Sequence, residues 1–416
     1  PATWPEIEGL AFRKNGQVCA TSPRRLIPDL DLLPFPLRDP KAATHRGVGI
    51  RSLAASRGCY YDCTFCSIHE FYRRAPGAIR RTRSPENVVQ EMERLFCEFG
   101  VRIFIFQDDD FFARAPRDRQ WAEGFLAALE ARKLAGEIVW RVSCRVDDLD
   151  ARLLGAMKAA GLSGVYVGVE SGSERGLETF NKHYAPDDVD AALALLRDVG
   201  LPFEFGFMMF EPYSTMESVR QNIDFLKGVC QYGDPLVHFC KMSPYAGTAI
   251  ARRLAAEGRL EGSIACPDYR FLDPRLDLLQ AFYAQTFNFR NFDERGLVER
   301  LRFAKFDCGV VERLFAGAYD AKAYREAVSQ LIRASNQSAV ETMGLAARMI
   351  ESRDLADIID HWEVLEDLSR EERLVEKRVS VALDRLMVEY GFEASPRADA
   401  PLTTCWPPAD SAEEYA

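Results

Sequence analysis

No apolar run in this 416-residue chain approaches the roughly 20 residues that a membrane-spanning helix needs. Positive charge is in deficit, with 53 Lys and Arg against 63 Asp and Glu and a net charge of -10. The first absence argues against a membrane partner, and the second against broad binding to nucleic acid. No second Cys-x-x-Cys pair and no His-x-x-x-His pair occurs, so the two-pair pattern of a structural zinc site is missing. A disulfide framework is also missing: the cysteines number an odd eleven, in a long chain with no secretory leader. They suit a reducing compartment, and a cytoplasmic location is expected. Internal repeats are absent. What the chain does have is 47% hydrophobic and 11% aromatic residues, enough for a large core and two or more domains.

One run stands out, Arg57-Gly58-Cys59-Tyr60-Tyr61-Asp62-Cys63-Thr64-Phe65-Cys66. A compact loop presenting the thiolates of Cys59, Cys63 and Cys66 can hold three corners of a [4Fe-4S] cube and leave the fourth iron open for chemistry. Zinc is the competing reading, and it would need Cys97 or His69 to be brought in by the fold.

Around that run, short apolar stretches alternate with amphipathic helical ones. The periodicity predicts strands at 51–56, 101–107, 137–144, 163–169, 203–210 and 235–242. Helices are predicted at 84–99, 117–133, 149–160, 186–199 and 215–228. Ser84 with Pro85, and Ser214 or Thr215, supply helix caps. Such β/α units build a parallel sheet curved toward a barrel, with active groups on loops after the carboxyl ends of the strands. Alternation places Arg141, Ser143 and Arg145 on one face, then Tyr166, Gly168 and Glu170, then Glu204, Gly206 and Met208. The opposite parity carries Val142, Val165, Val167, Val169, Phe203, Phe205 and Phe207, which suit packing against outer helices. Arg141, Arg145, Glu170 and Glu204 therefore point into the lumen. For Arg141 and Glu204, structural ion pairing and substrate contact both remain open.

The CX3CX2C spacing with Phe65 before its last cysteine resembles the signature of radical S-adenosylmethionine enzymes. The likeness continues through Phe106-Gln107-Asp108-Asp109-Asp110-Phe111, Ser143-Cys144-Arg145-Val146-Asp147, Gly168-Val169-Glu170-Ser171-Gly172, Gly206-Phe207-Met208-Met209-Phe210-Glu211-Pro212 and Lys241-Met242-Ser243-Pro244-Tyr245. It covers residues 50 to 260 and implies an α/β fold, a partial (β/α)6 TIM-like barrel with a C-terminal helical region. It also implies reductive cleavage of S-adenosylmethionine and hydrogen abstraction by a 5′-deoxyadenosyl radical. By the same resemblance, Asp108 and Asp109 are placed to accept from the methionyl amine, although a Gly-Gly-Glu segment often stands there in relatives. Arg145 is the candidate cation for the methionyl carboxylate. Glu170 and Ser171 are candidates for the ribose hydroxyls or the amine, and Phe65 and Met208 for the adenine. Phe210 stands where the family often has glycine. His238, Cys240, Lys241 and Tyr245 are candidate acids, bases or hydrogen donors. The implied reductant is a flavodoxin or ferredoxin. Arg73, Arg74, Arg80, Arg81 and Arg83 could dock it, or could instead face solvent and anchor loop carbonyls.

The stretches Ile7 to Gly16 and Pro28 to Pro36 resemble the linker after the cobalamin domain in the B12-binding branch. That domain, with its Asp-x-His-x-x-Gly element, is not in the sequence, so cobalamin would come through a missing N-terminal domain. Because the chain begins at Pro1, a start further upstream is expected. The organisation read here is a linker at 1–45, a core barrel at 46–260, a helical domain at 261–392 fitting as a cap over the barrel mouth, and a disordered tail at 393–416. His361 reads as a surface or capping residue. The favoured activity is B12-branch C-methylation, cyclisation or rearrangement of a small molecule in specialised metabolism. A cobalamin-independent radical oxidoreductase or mutase is the runner-up. A tRNA methylthiotransferase is disfavoured by the acidic charge and by the lack of a basic RNA-binding domain.

Overall fold

The computed structural model describes residues 3–39, 43–112, 115–315 and 320–390. The expected tail at 393–416, with Cys405, lies outside them. Six strands run parallel in chain order: β1 (Val48–Leu53), β2 (Val101–Phe106), β3 (Val139–Arg145), β4 (Leu162–Glu170), β5 (Phe203–Phe210) and β6 (Cys240–Lys241). Thr44–His45 adds a short antiparallel edge beside β1. The connecting helices are α1 (Ser67–Arg73), α2 (Pro85–Phe99), α3 (Pro116–Ala131), α4 (Ala151–Ala159), α5 (Glu174–Phe180), α6 (Pro186–Val199), α7 (Met216–Cys230) and α8 (Ala249–Ala256). The order is the partial α/β barrel that the periodicity indicates.

Local chemistry sets the boundaries. Ser84 Oγ accepts from Asn87 N at 3.2 Å to open α2, and Gly100 closes it at φ +64°. Thr215 and Ser218 cap each other's backbone at the start of α7. The parity argument holds for the outer face: Val142, Val165, Val167, Val169, Phe203, Phe205 and Phe207 are all buried. Phe207 stacks on Phe225 of α7 with ring centroids 5.5 Å apart.

The sixth strand is much shorter than expected. Hydrogen bonds that would extend its ladder are made instead by side chains from two later helices, α9 (Pro274–Phe292) and α11 (Ala321–Glu351). Asn336 accepts from Val237 N at 2.8 Å and donates to the carbonyls of Cys230 and Pro235. Arg290 and Asn291 donate to the carbonyls of Val237 and Phe239. The expected linker also holds an antiparallel hairpin, Ala11–Lys14 with Gln17–Ala20, turned at Asn15 and Gly16 with φ of +52° and +80°.

Not every helix of the expected cap lies over the mouth. Helix α10 (Leu297–Leu314) crosses the opposite, amino-terminal end of the barrel. Its Lys305 bonds the Phe203 carbonyl, Val310 packs on Ile103 and Val139, and Arg313 bonds the carbonyls of Ala135 and Lys158. Apart from Ile103, two residues into β2, these groups lie at or just before the starts of strands. The lumen there is polar, and Glu204 takes Lys305 at 2.7 Å, so this end is sealed by a helix carrying its own counter-charges. A short α12 (Leu355–Asp360) leads into α13 (Trp362–Glu389), which packs with α11, and α11 lies along α7.

Candidate active site at the strand ends

The cysteine loop follows β1 and is held by groups from four directions. At Gly58, φ is +84°, and a Cβ there would lie 2.1 Å from the Ile79 carbonyl oxygen, so only glycine fits. Gly58 N donates to Asp109 at 2.7 Å. Thr64 bonds the carbonyls of Thr179 and Phe180 at the end of α5, and its own carbonyl accepts from Ile250 N at the start of α8. Tyr61 OH donates to Asp148 at 2.8 Å, while Asp62 meets His183 at 3.1 Å.

Cys59, Cys63 and Cys66 are half-buried free thiols. Burial pushes Cys59 up to about 12 and raises Cys66 as well, so both hold their protons until a metal displaces them. Among the described residues, no three His, Cys, Asp or Glu side chains converge to hold a single metal ion. A cube whose corner irons stand apart does not require three sulfurs to meet at one point, and the donor set of three thiols on one pinned loop fits it.

Arg145, at the end of β3, lies against this loop. Its guanidinium stacks 3.6 Å from the Tyr61 ring centre, donates to Cys63 Sγ at 3.4 Å and pairs with Asp147 at 2.9 Å. It also donates to the Lys182 carbonyl at 2.6 Å. Beyond it, Glu170 closes β4 at φ +69°, in the left-handed region that non-glycine residues rarely adopt. Glu170 pairs with Lys182 Nζ at 3.2 Å. Burial works against the Lys182 charge, but Glu170 outweighs it and raises the ammonium above its ordinary value. Room for these side chains comes from two glycines in register, Gly168 and Gly206. A Cβ at Gly206 would stand 2.9 Å from Tyr166 Oη and 3.1 Å from Glu170 Oε2. Phe65 sits beside Lys182, its ring centre 5.8 Å from Nζ, and Met208 is buried in β5.

The other nominated residues have scaffold partners. Asp108 is buried and accepts from Ala55 N and Ser56 Oγ at 3.1 and 2.6 Å, and burial pushes it up to about 6. Asp109 is the half of that acidic pair that touches the loop. Ser171 is buried, with its hydroxyl on Asn222 at 3.0 Å, where it shapes the turn after β4. Beneath the cysteine loop, burial and the neighbouring Asp148 raise Asp110, and burial raises Asp148, which keeps uncompensated negative charge out of the interior. Arg80 is buried and bonds the carbonyls of Asp110 and Phe111, Arg81 bonds that of Ile27, and Arg83 bonds that of Ala54. These three anchor loop carbonyls, whereas Arg73 and Arg74 are exposed.

Near β6 the nominated residues separate. Burial, with Arg302 and Arg290 nearby, pushes His238 down to about 3 and leaves it neutral. Cys240 is half-buried, and burial pushes it up to about 12. Lys241 is engaged by Asp268 and the Tyr269 carbonyl, and Tyr245 is exposed. Four residues that the sequence reading does not nominate border these groups: Tyr61, Asp148, Lys182 and Tyr184, whose ring centre lies 5.2 Å from the Arg145 guanidinium and 5.6 Å from Lys182 Nζ. The available signal was the aromatic and basic run Asn181-Lys182-His183-Tyr184 following a short helix that periodicity does not reveal.

Comparison with known proteins gives concordant results. Residues 53–226 match the model of the Radical SAM superfamily. An uncharacterized methyltransferase of Pyrococcus horikoshii is 31% identical over 59% of this chain and 51% of its own length. An anaerobic magnesium-protoporphyrin IX monomethyl ester cyclase of Cereibacter sphaeroides is 28% identical over 52% of this chain and 35% of its own. The chain thus spans about half, or less, of the curated relatives it matches. A solved structure of the cobalamin-dependent S-adenosylmethionine radical enzyme OxsB, with aqua-cobalamin and S-adenosylmethionine bound, shares the fold. Its TM-score is 0.61 at 15% identity, and the match covers 93% of this chain and 65% of that one.

Proposed function

We propose, from the radical SAM domain that residues 53–226 of this chain form, that the protein catalyses hydrogen abstraction from a small molecule as part of a C-methylation, cyclisation or rearrangement in specialised metabolism. The observation that carries the reading is a loop bearing three free thiols beside the Arg145 guanidinium and the Glu170–Lys182 pair, at the carboxyl ends of β1, β3 and β4. Cys59, Cys63 and Cys66 would hold a [4Fe-4S] cluster, with S-adenosylmethionine on the iron they leave open. When bound, that pair supplies reductive cleavage of the sulfonium bond to a 5′-deoxyadenosyl radical.

The chain's own residues bind and orient. Lys182 and Glu170 present one cation and one carboxylate, the complement of a zwitterionic methionyl end. Arg145 already donates to Asp147, the Lys182 carbonyl and Cys63, so Lys182 stands beside it as a second candidate for the carboxylate. The Arg145 bond to a ligand sulfur is the kind that tunes a cluster's potential. Phe65 offers an apolar face, and Cys240, half-buried on the sixth strand, is the remaining candidate hydrogen donor. The names of the relatives, a methyltransferase and a cyclase, support methylation and cyclisation, while the B12 branch rests on the resemblance of the linker stretches. A flavodoxin or ferredoxin would deliver the electron, and exposed Arg57, Arg73 and Arg74 are available to meet it.

Anaerobic reconstitution with iron and sulfide tests the reading. The expected product is a brown protein that releases 5′-deoxyadenosine from S-adenosylmethionine under dithionite. A Cys63→Ala variant that kept both colour and cleavage would overturn it. S-adenosylhomocysteine among the products marks methylation, whereas 5′-deoxyadenosine and methionine alone mark the cobalamin-independent alternative.

A further inference from the structure

Two consecutive acids in the turn after β3, Asp147 and Asp148, meet the cysteine loop by different routes. Asp147 takes one edge of the Arg145 guanidinium, accepting from Nε at 2.9 Å and Nη2 at 3.3 Å, and the Lys182 carbonyl accepts from Nη2 at 2.6 Å. Because the guanidinium is a rigid plane, fixing that edge leaves Nη1 at the opposite corner, where it donates to Cys63 Sγ at 3.4 Å. A planar group held along one edge can still tilt about it, and a tilt would carry Nη1 away from the sulfur. Asp148 governs that tilt at one remove. It accepts the Tyr61 hydroxyl at 2.8 Å, and the Tyr61 ring centre lies 3.6 Å from the guanidinium carbon of Arg145. That is van der Waals contact, well inside the roughly 6 Å reach of a cation–π pair. The Tyr184 ring stands farther off, at 5.2 Å. Arg145 and Asp148 are both buried, so solvent ions screen this arrangement little.

We propose that Tyr61 is a positioning residue acting through Arg145: its ring, pinned by Asp148, holds Nη1 against Cys63 and so raises the reduction potential of the cluster that Cys59, Cys63 and Cys66 would hold. The inference rests on the cluster reading above and adds to it a role for a side chain between the first two cysteines. The cause is charge. An electron entering the cluster makes its ligand sulfurs more negative, and a fixed cation that donates to one of them bonds the reduced state more strongly than the oxidised one. Losing that bond disfavours reduction. The hydroxyl of Tyr61 sets where the ring lies, but the ring face makes the contact, so phenylalanine keeps the platform that leucine removes.

Potentiometric titration of the reconstituted chain, followed by electron paramagnetic resonance without S-adenosylmethionine, reads the effect. Arg145→Gln and Tyr61→Leu are each expected to lower the reduction equilibrium constant about tenfold, which for one electron is a midpoint about 59 mV more negative. Tyr61→Phe is expected to stay close to the parent. The double variant should match Arg145→Gln alone, because a residue that acts through Arg145 then has nothing left to act on. A parent midpoint in Tyr61→Leu, an equal fall in Tyr61→Phe, or additive shifts in the double variant would overturn the proposal and leave the cluster reading standing. A parent chain that takes up no cluster would overturn both. If Tyr61→Leu holds no cluster, Tyr61→Met takes its place, filling the space without a ring face. Pulsed resonance on the parent chain with isotope-labelled arginine adds a check that needs no Tyr61 variant: an arginine nitrogen coupled to the reduced cluster, and lost in Arg145→Gln, is expected, and its absence from the parent would overturn the proposal.

Discussion

Lys182 illustrates what a single residue contributes that spacing does not reveal. Its ammonium is buried against Glu170 at 3.2 Å, and its carbonyl holds Arg145. Replacing it with alanine leaves Glu170 without its partner and removes the proposed carboxylate contact. A charged hydrogen bond is worth roughly 1.5–3 kcal/mol, so Lys182→Ala is expected to weaken S-adenosylmethionine binding by about 10- to 100-fold. Equilibrium dialysis with the reconstituted protein measures this directly, and unchanged affinity would return the carboxylate to Arg145. Gly58 gives a second prediction at this scale. An alanine there places a Cβ 2.1 Å from a carbonyl oxygen at φ +84°, so Gly58→Ala is expected to distort the loop and lower iron content well below that of the parent protein. Among site residues, the three cysteines, Arg145 and Glu170 were legible because they sit in ordered motifs at strand ends. Tyr61 and Lys182 were not, because only the folded turns bring their functional atoms to the same place.

At the scale of elements, the second to fifth strands fall where alternation placed them, because each buries one face against helices and the pattern records that face, while the first lies three residues earlier than expected. The sixth was overread: its apolar run is real, but Asn336, Arg290 and Asn291 replace the ladder, and no local pattern announces partners about 50 to 100 residues away. The hairpin at Asn15-Gly16 carries a turn signal legible in the residue pair itself. Helix packing supplies a pH prediction. Burial pushes Glu376 of α13 up to about 7 although Arg290 of α9 opposes it, and their facing atoms, 3.8 Å apart, are too far for a hydrogen bond. The folded chain therefore holds a proton that the unfolded chain releases above about 4.5. Stability from this group is full at low pH, falls as pH rises from 4.5 to 7, and is flat beyond that. Glu376→Gln should flatten that window, so the stability difference between parent and variant in urea titrations should change across it and nowhere else.

Across the whole molecule, the C-terminal helices are joined to the barrel through the Asn336 amide, which is buried and serves three backbone groups. Asn336→Ala leaves those groups unsatisfied at a cost of roughly 1–3 kcal/mol each before relaxation. A loss of about 3 kcal/mol is expected, with faster amide exchange concentrated at residues 230–240. Exchange that rose uniformly instead would show that the joint is not local. Among the described residues, no helix is long and apolar enough to cross a membrane.

Helix α10, laid across the amino end, also has a consequence for traffic. With that end stopped, the route to the cysteine loop runs through the carboxyl face, and whatever sits deepest must arrive first and depart last. A molecule bound against Cys59, Cys63 and Cys66 and a second one farther out would form a queue. The expected kinetic pattern is a compulsory order of binding, with the outer molecule, in excess, trapping the inner one in place.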